Sequence, residues 1–397
     1  MKMSECIVHS FEAGRRGKPD ELDSGIAHLV GAEILDLDRN ARFDLRVHGS
    51  YQHGKPTVRI SGEVSEHVLP ALTQERLIDV VLAHYNHVHR TELSPSNIVV
   101  TSALKPQAVS LASNGHAGDS GNPIAVAYKI SPDVNRPIGA PNYLPWERSL
   151  AVSIRNVIDN IFQGPETYTT NGIPTIHGLK ADGKVSVDAV YEGARLVGIK
   201  NITIAVEHEK DISISELQTK LENIVREYLS SFEAEARLGN PKITINGLGA
   251  WHDGGWQVDE GSREAKPYRD GFASYGCCED SFSGEDPTKP SATGTFLARY
   301  IAVQIVANDL ADFARVALQY TIGREEVGLN STTNGTGRVE QSKLETWIRN
   351  NVPLRIKDAI ELFGLRDPAL YRRIVAQSDF FHDGELPWNK PTGVYNR

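Results

Sequence analysis

Cysteine is scarce in this chain of 397 residues, which contains only three: Cys6 and the neighbouring pair Cys277 and Cys278. Three cysteines cannot form a disulfide framework, and adjacent cysteines rarely bridge each other because the geometry of that bond is unfavourable. A fold stabilised mainly by disulfides is thereby excluded. We interpret the pair as two small loop residues, and a redox-active vicinal pair is the alternative.

Long apolar runs are also missing. No stretch approaches the ~18 consecutive apolar residues that a membrane-spanning helix needs, and the first residues, MKMSECIVHSFEAGRRGKPDE, lack the apolar block of a signal peptide. With 40% hydrophobic and 23% charged residues, the composition is that of an ordinary soluble globular protein. We therefore expect a cytoplasmic protein with no membrane partner.

Positive charge is in deficit, because 51 aspartates and glutamates outnumber 42 lysines and arginines and leave a net charge of −9. This balance argues against a nucleic-acid-binding surface, which needs a basic face. Two common nucleotide-binding motifs are absent as well, since there is no GxxxxGK[ST] loop and no GxGxxG turn after a strand. If a polyanion such as ATP binds, its cations must be gathered locally and assisted by metal ions.

The chain does contain alternating strand-like and helix-like segments, enough for two or three compact units of the usual ~100–200 residues. Alternating apolar residues predict strands, and a 3.6-residue period predicts helices. The predicted strands are 43–48, 57–64, 97–102, 124–130, 185–192 and 196–208. The predicted helices are 21–34, 73–85, 146–162, 216–232 and 296–313. Gly193 predicts an antiparallel hairpin, and Ser213 with Glu216 predicts a capping box.

The predicted fold class is α+β, with mixed sheets covered by helices. Strand, hairpin and helix recur about three times, over residues 13–128, 129–233 and 234–397. No sequence repeat is visible, so the prediction of three similar units concerns topology alone. Residues 164–178 are predicted to form an exposed insertion.

Two local clusters are open to more than one interpretation. His84, His87 and His89 suggest zinc, but no cysteine or acidic partner lies at ligand spacing, so solvated histidines at a frayed helix end are favoured. Asp20 follows Pro19, so it is either the N-cap of the first helix or a functional carboxylate.

The run from Trp256 to Lys289 is long, polar and dotted with glycine, and its first half contains three lysines or arginines. Such a segment is typical of a loop that covers a substrate rather than of a core element. The apolar helical pattern directly behind it would anchor the loop.

The end of this run, FSGEDPTK, and the following GTFLARYIAVQIVANDLADFARVALQYTIG resemble the S-adenosylmethionine synthetase (methionine adenosyltransferase) family. The family has FSGKDPxK, ARYxAxxIVxxxLAD and SYAIG segments in the same order, and the resemblance continues through 352–371 to LPWNKP at 386–391. It implies three similar α+β units in a pseudo-threefold arrangement. It also implies Mg²⁺ and K⁺ as cofactors, and a homodimer or dimer of dimers with active sites at the subunit interface.

The implied reaction is the ATP-dependent synthesis of S-adenosylmethionine. The sulfur of methionine attacks the 5′ carbon of ATP, and the released triphosphate is cleaved to phosphate and pyrophosphate. Shorter motifs support the resemblance upstream: EAGRRGKPD at 12–20, ISGEV at 60–64, GDSG at 118–121, DGK at 182–184 and AWHDGG at 250–255.

The resemblance implies a role for each residue at a matching position, and Arg263 is added because it lies close to a missing arginine. The residues implied to neutralise the triphosphate are Lys18, Lys184, Lys266 and Arg263. Those implied to bind ATP are Asp119, Asp182, Trp251, Asp259, Ser281 and Glu285. Those implied to bind methionine are Glu63, Gln107, Asp259 and Lys289. The implied metal ligands are Asp20 and Glu12 for magnesium and Asp44 for potassium.

Several positions depart from the family pattern, and they lie mainly where ATP is expected: Lys18, Ala250, Ala265, Glu285 and Ser291. Glu285 stands in place of a phosphate-facing lysine, and such a reversal in a partly desolvated site would cost on the order of several kcal/mol. Arg15, Arg16 or Arg263 could restore the charge. Three hypotheses therefore stay open: synthesis of S-adenosylmethionine, adenosylation of another nucleophile, or a catalytically weak nucleotide-binding regulatory subunit.

Overall fold

The computed structural model describes residues 6–108, 119–129, 143–163, 176–231, 238–263, 266–276 and 280–392. The described strands are β1 Cys6–Gly14, β2 Phe43–Gln52, β3 Lys55–Val64, β4 Val99–Pro106, β5 Ile124–Tyr128, β6 Leu179–Glu192, β7 Arg195–His208, β8 Lys242–Ile245, β9 Phe313–Gln319 and β10 Gly328–Thr332. They form three sheets with the orders β1-β6-β7-β8, β2-β3-β4 and β10-β9-β5. The first two sheets mix parallel and antiparallel pairs, and the third is antiparallel.

Helices cover these sheets. The described α-helices are α1 Pro19–Leu37, α2 Gln74–His89, α3 Trp146–Gln163, α4 Ile214–Ser230, α5 Pro267–Asp270, α6 Pro290–Ala307, α7 Gln341–Asn351, α8 Ile356–Phe363 and α9 Pro368–Gln377. Helix α1 packs on β2, α3 on β1 and β6, and α6 on β5 and β9. None of the described helices combines the length and the apolar composition that a membrane crossing requires.

The predicted α+β class with mixed sheets is confirmed, while the pseudo-threefold arrangement and the boundaries 13–128, 129–233 and 234–397 stay predictions. The predicted hairpin is also present, because β6 and β7 pair antiparallel and Gly193 turns between them at φ 61°. Ser213 is the N-cap of α4 and accepts a hydrogen bond from the Glu216 backbone N–H at 3.2 Å. The pair Cys277 and Cys278 and residues 164–175 of the predicted insertion lie outside the described residues.

Helix α6 is buried on almost every side and lies in the larger of two hydrophobic cores. The sequence predicted this helix over 296–313, but it begins at Pro290 and ends at Ala307. Asp309 adopts a left-handed backbone with φ 59° and reverses the chain, and Phe313 then opens strand β9 opposite Tyr128. The apolar spacing alone could not separate the end of the helix from the start of a buried strand.

The run from Trp256 to Lys289 is irregular, as expected, but the prediction that it lies outside the core is wrong. Phe272 and Phe282 belong to the large core, and Trp256 belongs to the second core beneath α1 and β2. The segment therefore threads through the protein, with its polar residues held between two apolar anchors.

Two further local predictions need correction. Helix α2 runs on to His89 instead of fraying near Tyr85, so His84 is buried rather than solvated. The described residues contain no group of three or more side chains placed to hold a metal ion, which leaves the zinc interpretation without support there. Lys18, not Asp20, is the N-cap of α1, and Asp20 lies in the first turn behind Pro19.

Candidate functional site

The first turn of α1 brings a carboxylate and two lysines together. Pro19 occupies the first helical position, and Asp20 follows it, where a negative charge is favoured by the helix dipole. Oδ2 of Asp20 lies 2.6 Å from the ammonium nitrogen of Lys18 and 3.8 Å from that of Lys266. Burial alone would lower the pKa of Lys18, but its hydrogen bond and attraction to Asp20 outweigh burial and raise it. Lys18 is therefore held as a cation.

Glycines allow the loop after Trp256 to approach this turn closely. The Gly261 N–H donates to the Gly49 carbonyl at 2.9 Å, and a Cβ on Gly261 would lie 2.4 Å from the carbonyl oxygen of Pro19. The next residue, Ser262, donates its backbone N–H to Oδ1 of Asp20 at 3.3 Å. The loop is thus fastened to the start of α1 by its main chain.

Arg263 continues the loop into a second charged cluster. Its side chain is fully buried, and Nη1 donates to the carbonyl oxygens of Ser281 at 3.0 Å and Ser283 at 2.7 Å. Nη2 lies 3.2 Å from Oδ1 of Asp44. Because Ser262 binds Asp20 and Arg263 binds Asp44, two adjacent residues join the two clusters.

Strand β2 and the FSGEDPTK motif form the second cluster. The motif pairs with the start of β2, since the Leu45 N–H donates to the Gly284 carbonyl at 2.8 Å and Asp44 stands opposite Glu285. Lys289, the N-cap of α6, lies 3.5 Å from Oδ2 of Asp44 and 3.2 Å from Oδ2 of Asp119. Burial opposes the charge on Lys289, but attraction to these aspartates prevails and raises its pKa.

Glu285 does not present an open negative charge. Its side chain is 4% exposed, and burial, followed by repulsion from Asp280 and Asp44, raises its pKa well above the ordinary range. These conditions favour the neutral form of the carboxyl group. Where the family pattern has a lysine, this chain therefore has a buried acid that favours its neutral form. A neutral acid repels a triphosphate less than the ionised glutamate that the sequence suggested.

Asp182 lies in β6, and Trp251 lies in the loop after β8. Asp182 is buried and accepts hydrogen bonds from the backbone N–H groups of Gly183 at 2.6 Å and Gly255 at 2.8 Å. Burial is the main reason that its pKa is raised, while nearby Lys18 acts in the opposite sense. The half-buried indole of Trp251 donates to the Asp253 carbonyl at 2.6 Å.

Other candidate residues form smaller groups around these clusters. Lys184 is exposed and lies 3.0 Å from Oε2 of Glu12 on the neighbouring strand. Glu63 stands opposite Asp44 in the β2–β3 register and lies 3.2 Å from the Lys105 ammonium nitrogen. Gln107 and Ser281 are buried, and Asp259 is exposed.

The fit of a metal ion follows from the chemistry of these donors. A hard carboxylate such as Asp20 suits Mg²⁺, which in nucleotide sites usually takes one or two carboxylates and completes its shell with phosphate and water. Since the described residues offer no cluster of three ligating side chains, a bound magnesium would depend on the substrate in this way.

Sequence reasoning missed several residues that shape the site. Arg269 lies 2.6 Å from Oε1 of Glu21 and also contacts Asp270, so it fixes the segment that carries Lys266 onto α1. Asp23 accepts the Gly49 N–H at 2.7 Å. The only sequence signal for Arg269 was its membership of the basic first half of the loop. Of the positions that depart from the family pattern, Ala250 is exposed and Ser291 is buried, while Ala265 lies outside the described residues.

The sequence of this chain is similar to those of known proteins. Residues 254–390 match the protein family model described as S-adenosylmethionine synthetase, C-terminal domain. Aligned over 407 residues, the chain is 28% identical to the S-adenosylmethionine synthase of Aquifex aeolicus (strain VF5). That alignment covers 99% of this chain and 96% of the relative. The similarity therefore includes every segment that carries the charged side chains described above.

Proposed function

We propose that this chain, a divergent member of the S-adenosylmethionine synthetase family, makes S-adenosylmethionine from ATP and methionine. The observation that carries the proposal is the link between Asp20, which holds Lys18 and Lys266, and Asp44, through the adjacent residues Ser262 and Arg263. This link gathers cations and carboxylates from distant segments, as a reaction with a polyanionic leaving group requires.

The reaction needs charge stabilisation and alignment but no base. The thioether sulfur of methionine forms a bond to the 5′ carbon of ATP while the bond from that carbon to the triphosphate oxygen breaks, giving a sulfonium ion. Because a thioether carries no proton, none has to be removed. Lys18, Lys184, Lys266 and Arg263 are proposed to neutralise the charge that develops on the triphosphate.

The metal assignments follow the same logic. Asp20 and Glu12 are proposed to hold magnesium, and Asp44 is proposed to hold potassium. A bound magnesium ion would supply charge neutralisation to the phosphates in addition to the lysines. The ion pairs of Asp20 with Lys18 and Lys266 would then be shared with the substrate.

Two sets of side chains would bind the substrates. The residues proposed for ATP are Asp119, Asp182, Trp251, Asp259, Ser281 and Glu285. The residues proposed for methionine are Glu63, Gln107, Asp259 and Lys289. Lys289 supports this division, since its raised pKa keeps a cation beside Asp119 and Asp44, where a substrate carboxylate could bind.

Part of this set is accessible from outside the single chain. Lys184 and Asp259 are exposed, and Trp251 is half-buried, so a second subunit could cover them. We propose a homodimer or a dimer of dimers in which each site lies between two subunits. Analytical ultracentrifugation, with Lys184→Glu as an interface probe, would test the assembly: a purely monomeric wild type would contradict it.

The reaction is tested by incubating the purified protein with ATP, magnesium and potassium, with and without methionine. Mass spectrometry of the nucleotide products and assays of phosphate and pyrophosphate provide the readout. S-adenosylmethionine in equal amount with both inorganic products is the expected result. Binding of ATP without that product would instead favour another acceptor, to be sought among other nucleophiles, or a regulatory subunit.

A further inference from the structure

Two cavities share two lining side chains, His28 of α1 and Ile374 of α9. The larger has a volume of about 40 Å³ and lies between α1 and the C-terminal helix α9. The smaller, of about 10 Å³, lies between α1, α9 and the FSGEDPTK motif, and Glu285 forms part of its wall. His28 lines both cavities, whereas Glu285 of the candidate site lines only the smaller one.

His28 is deeply buried and lacks hydrogen-bond partners. Its side chain is 4% exposed, and neither ring nitrogen contacts a donor or acceptor among the described residues. The edges of Tyr371 and Phe380 pack against its ring, with centroids 5.5 Å and 5.2 Å away. A neutral imidazole carries one donor and one acceptor, and leaving both unpaired inside a protein is costly.

Glu285, which also lines the smaller cavity, has a similar deficiency. Its Oε2 is buried and has no hydrogen-bond partner among the described residues, while Asp280 interacts with the carboxyl group. Three polar atoms without a partner among the described residues, two on His28 and one on Glu285, therefore belong to side chains that line the smaller cavity.

Two of the three arginines that line the larger cavity are paired with carboxylates. Arg269 is paired with Glu21 at 2.6 Å, and Arg148 is paired with Asp379 at 2.7 Å. Because these two arginines are already neutralised, an additional anion would gain no counter-charge from them. The third, Arg16, donates from Nη2 to the Ala376 carbonyl at 2.7 Å. A small molecule that both donates and accepts hydrogen bonds satisfies the imidazole and the carboxyl group equally well.

We propose that the two cavities hold a chain of bound water molecules that joins His28 to Glu285, and that His28 acts through it as a positioning residue for the FSGEDPTK motif. A bound water needs roughly 10–15 Å³ of cavity volume, so the smaller cavity has room for about one water and the larger for about three. A bound water also needs two to four polar partners. Ser24 of α1 and Ser283 of the loop also line the larger cavity and can bind water.

The consequence is a connection between the interior of α1 and the second charged cluster. Glu285 stands opposite Asp44 in the short pairing with β2, and Asp44 contacts Arg263 and Lys289. Water that fixes the Glu285 carboxyl group would therefore help to fix the turn that carries Lys289. This positioning role rests on the proposed function, whereas the water chain itself does not.

A crystal structure of the full chain tests the water chain directly. The expected result is ordered water within hydrogen-bonding distance of both His28 ring nitrogens and of Glu285 Oε2. Empty cavities, or direct protein partners for His28, would overturn the proposal. In His28→Phe crystals the water next to residue 28 should disappear, and in His28→Gln crystals it should persist.

A double-mutant cycle gives an independent test by urea unfolding. The effects of His28→Phe and Glu285→Leu should be strongly non-additive, because removing both polar ends lets the connecting cavity become dry at no further loss. The matched control uses His382→Phe in place of His28→Phe. His382 is a buried histidine that is hydrogen-bonded to Ser153 and lines neither cavity. Equal coupling in both cycles would contradict the proposal.

The positioning role is tested by kinetics. His28→Phe should lower kcat about tenfold, the scale expected for a group that orients active-site residues, and His28→Gln should restore most of it. A merely structural role would give equal losses in both variants at equal stability. A wild-type protein that makes no S-adenosylmethionine would refute the proposed function but leave the crystallographic and unfolding tests intact.

Discussion

The ammonium nitrogen of Lys18 lies 2.6 Å from Oδ2 of Asp20, although the two residues are separated by only Pro19. Lys18 can make this contact because it is the extended N-cap of α1, with ψ 134°, while Asp20 is already in the helical first turn. Lys266 approaches the same oxygen from the loop. The start of α1 is therefore the point where cations from two segments converge on one carboxylate.

Replacing Lys18 by methionine should reduce kcat/KM for ATP by about 10²–10³-fold, the usual loss when one donor to a developing negative charge is removed. Methionine keeps the length of the side chain but carries no charge. Product formation at saturating methionine, followed by mass spectrometry, is the measurement. The control is Lys343→Met, since Lys343 is exposed and its ammonium nitrogen lies 3.8 Å from Oε2 of Glu340. A Lys18→Met rate equal to that of the control would remove Lys18 from the site.

Lys184→Ala should abolish product formation while the protein stays folded. The ion pair of Lys184 with Glu12 is half-exposed, and exposed pairs contribute only about 0–1 kcal/mol to stability. A matched control is Lys220→Ala, which breaks a similarly exposed pair with Glu216 at 2.6 Å on α4. Circular dichroism reports whether each variant is folded, and product assays report its turnover. Unchanged turnover in Lys184→Ala would show that this lysine does not serve catalysis.

Gly49→Ala should destabilise the protein by about 1–3 kcal/mol, the typical cost of overpacking. A Cβ at Gly49 would lie 2.1 Å from Cε2 of Trp256, which stacks on Tyr85 with centroids 5.4 Å apart. Since the Gly49 carbonyl also binds Gly261, the displaced indole should shift the loop and slow the reaction. Urea unfolding gives the free energy.

Gly247→Ala is the control for that substitution, because a Cβ there meets only the Thr244 methyl carbon at 3.2 Å. It should change the unfolding free energy far less. Equal losses from the two alanines would mean that the close contact with Trp256 is not the cause.

The stability of the protein should fall in mild acid, and His84 is one of the buried histidines responsible. Burial is the main reason that the pKa of His84 is lowered from 6.5 to about 3. The unfolded chain then binds the proton more tightly, so the stabilisation is present above pH 6.5 and is lost as pH falls toward 3. At pH 5 the loss from this one group would be about 2 kcal/mol.

His84→Gln should therefore show a smaller fall in unfolding free energy between pH 7 and pH 5 than the wild type. His53→Gln is the control, because His53 is exposed in the turn between β2 and β3. If both variants retain the full pH dependence of the wild type, the burial of His84 would not be the source of that pH dependence.

Short-range features of the fold were predictable from the sequence. The hairpin around Gly193, the capping of α4 by Ser213 and the general α+β class all depend on residues within a few positions of one another. The boundaries of α6 were not predictable, because Leu310 and Phe313 continue the apolar pattern after the helix has ended. An apolar period reports burial, and a buried strand satisfies it as well as a helix does.

The candidate site was predictable only in part. Motifs pointed to Lys18, Asp20 and Lys289 because each lies within a short recognisable segment. Arg269, Asp23 and His28 carried no such signal. Their importance depends on partners and cavities supplied by residues far away in the chain, such as the contact of Arg269 with Glu21 across 248 positions.

By itself, the sequence determined the charges available, the local turns and helix starts, and the order of the motifs, since these follow from side-chain chemistry and from contacts between near neighbours. Only the tertiary structure decided that Ser262 and Arg263 join Asp20 to Asp44, and that Glu285 is a buried acid with a raised pKa. The reason is physical: burial and electrostatic environment depend on which distant segments pack together, and two residues of the same type can be a solvated ion in one place and a neutral group in another.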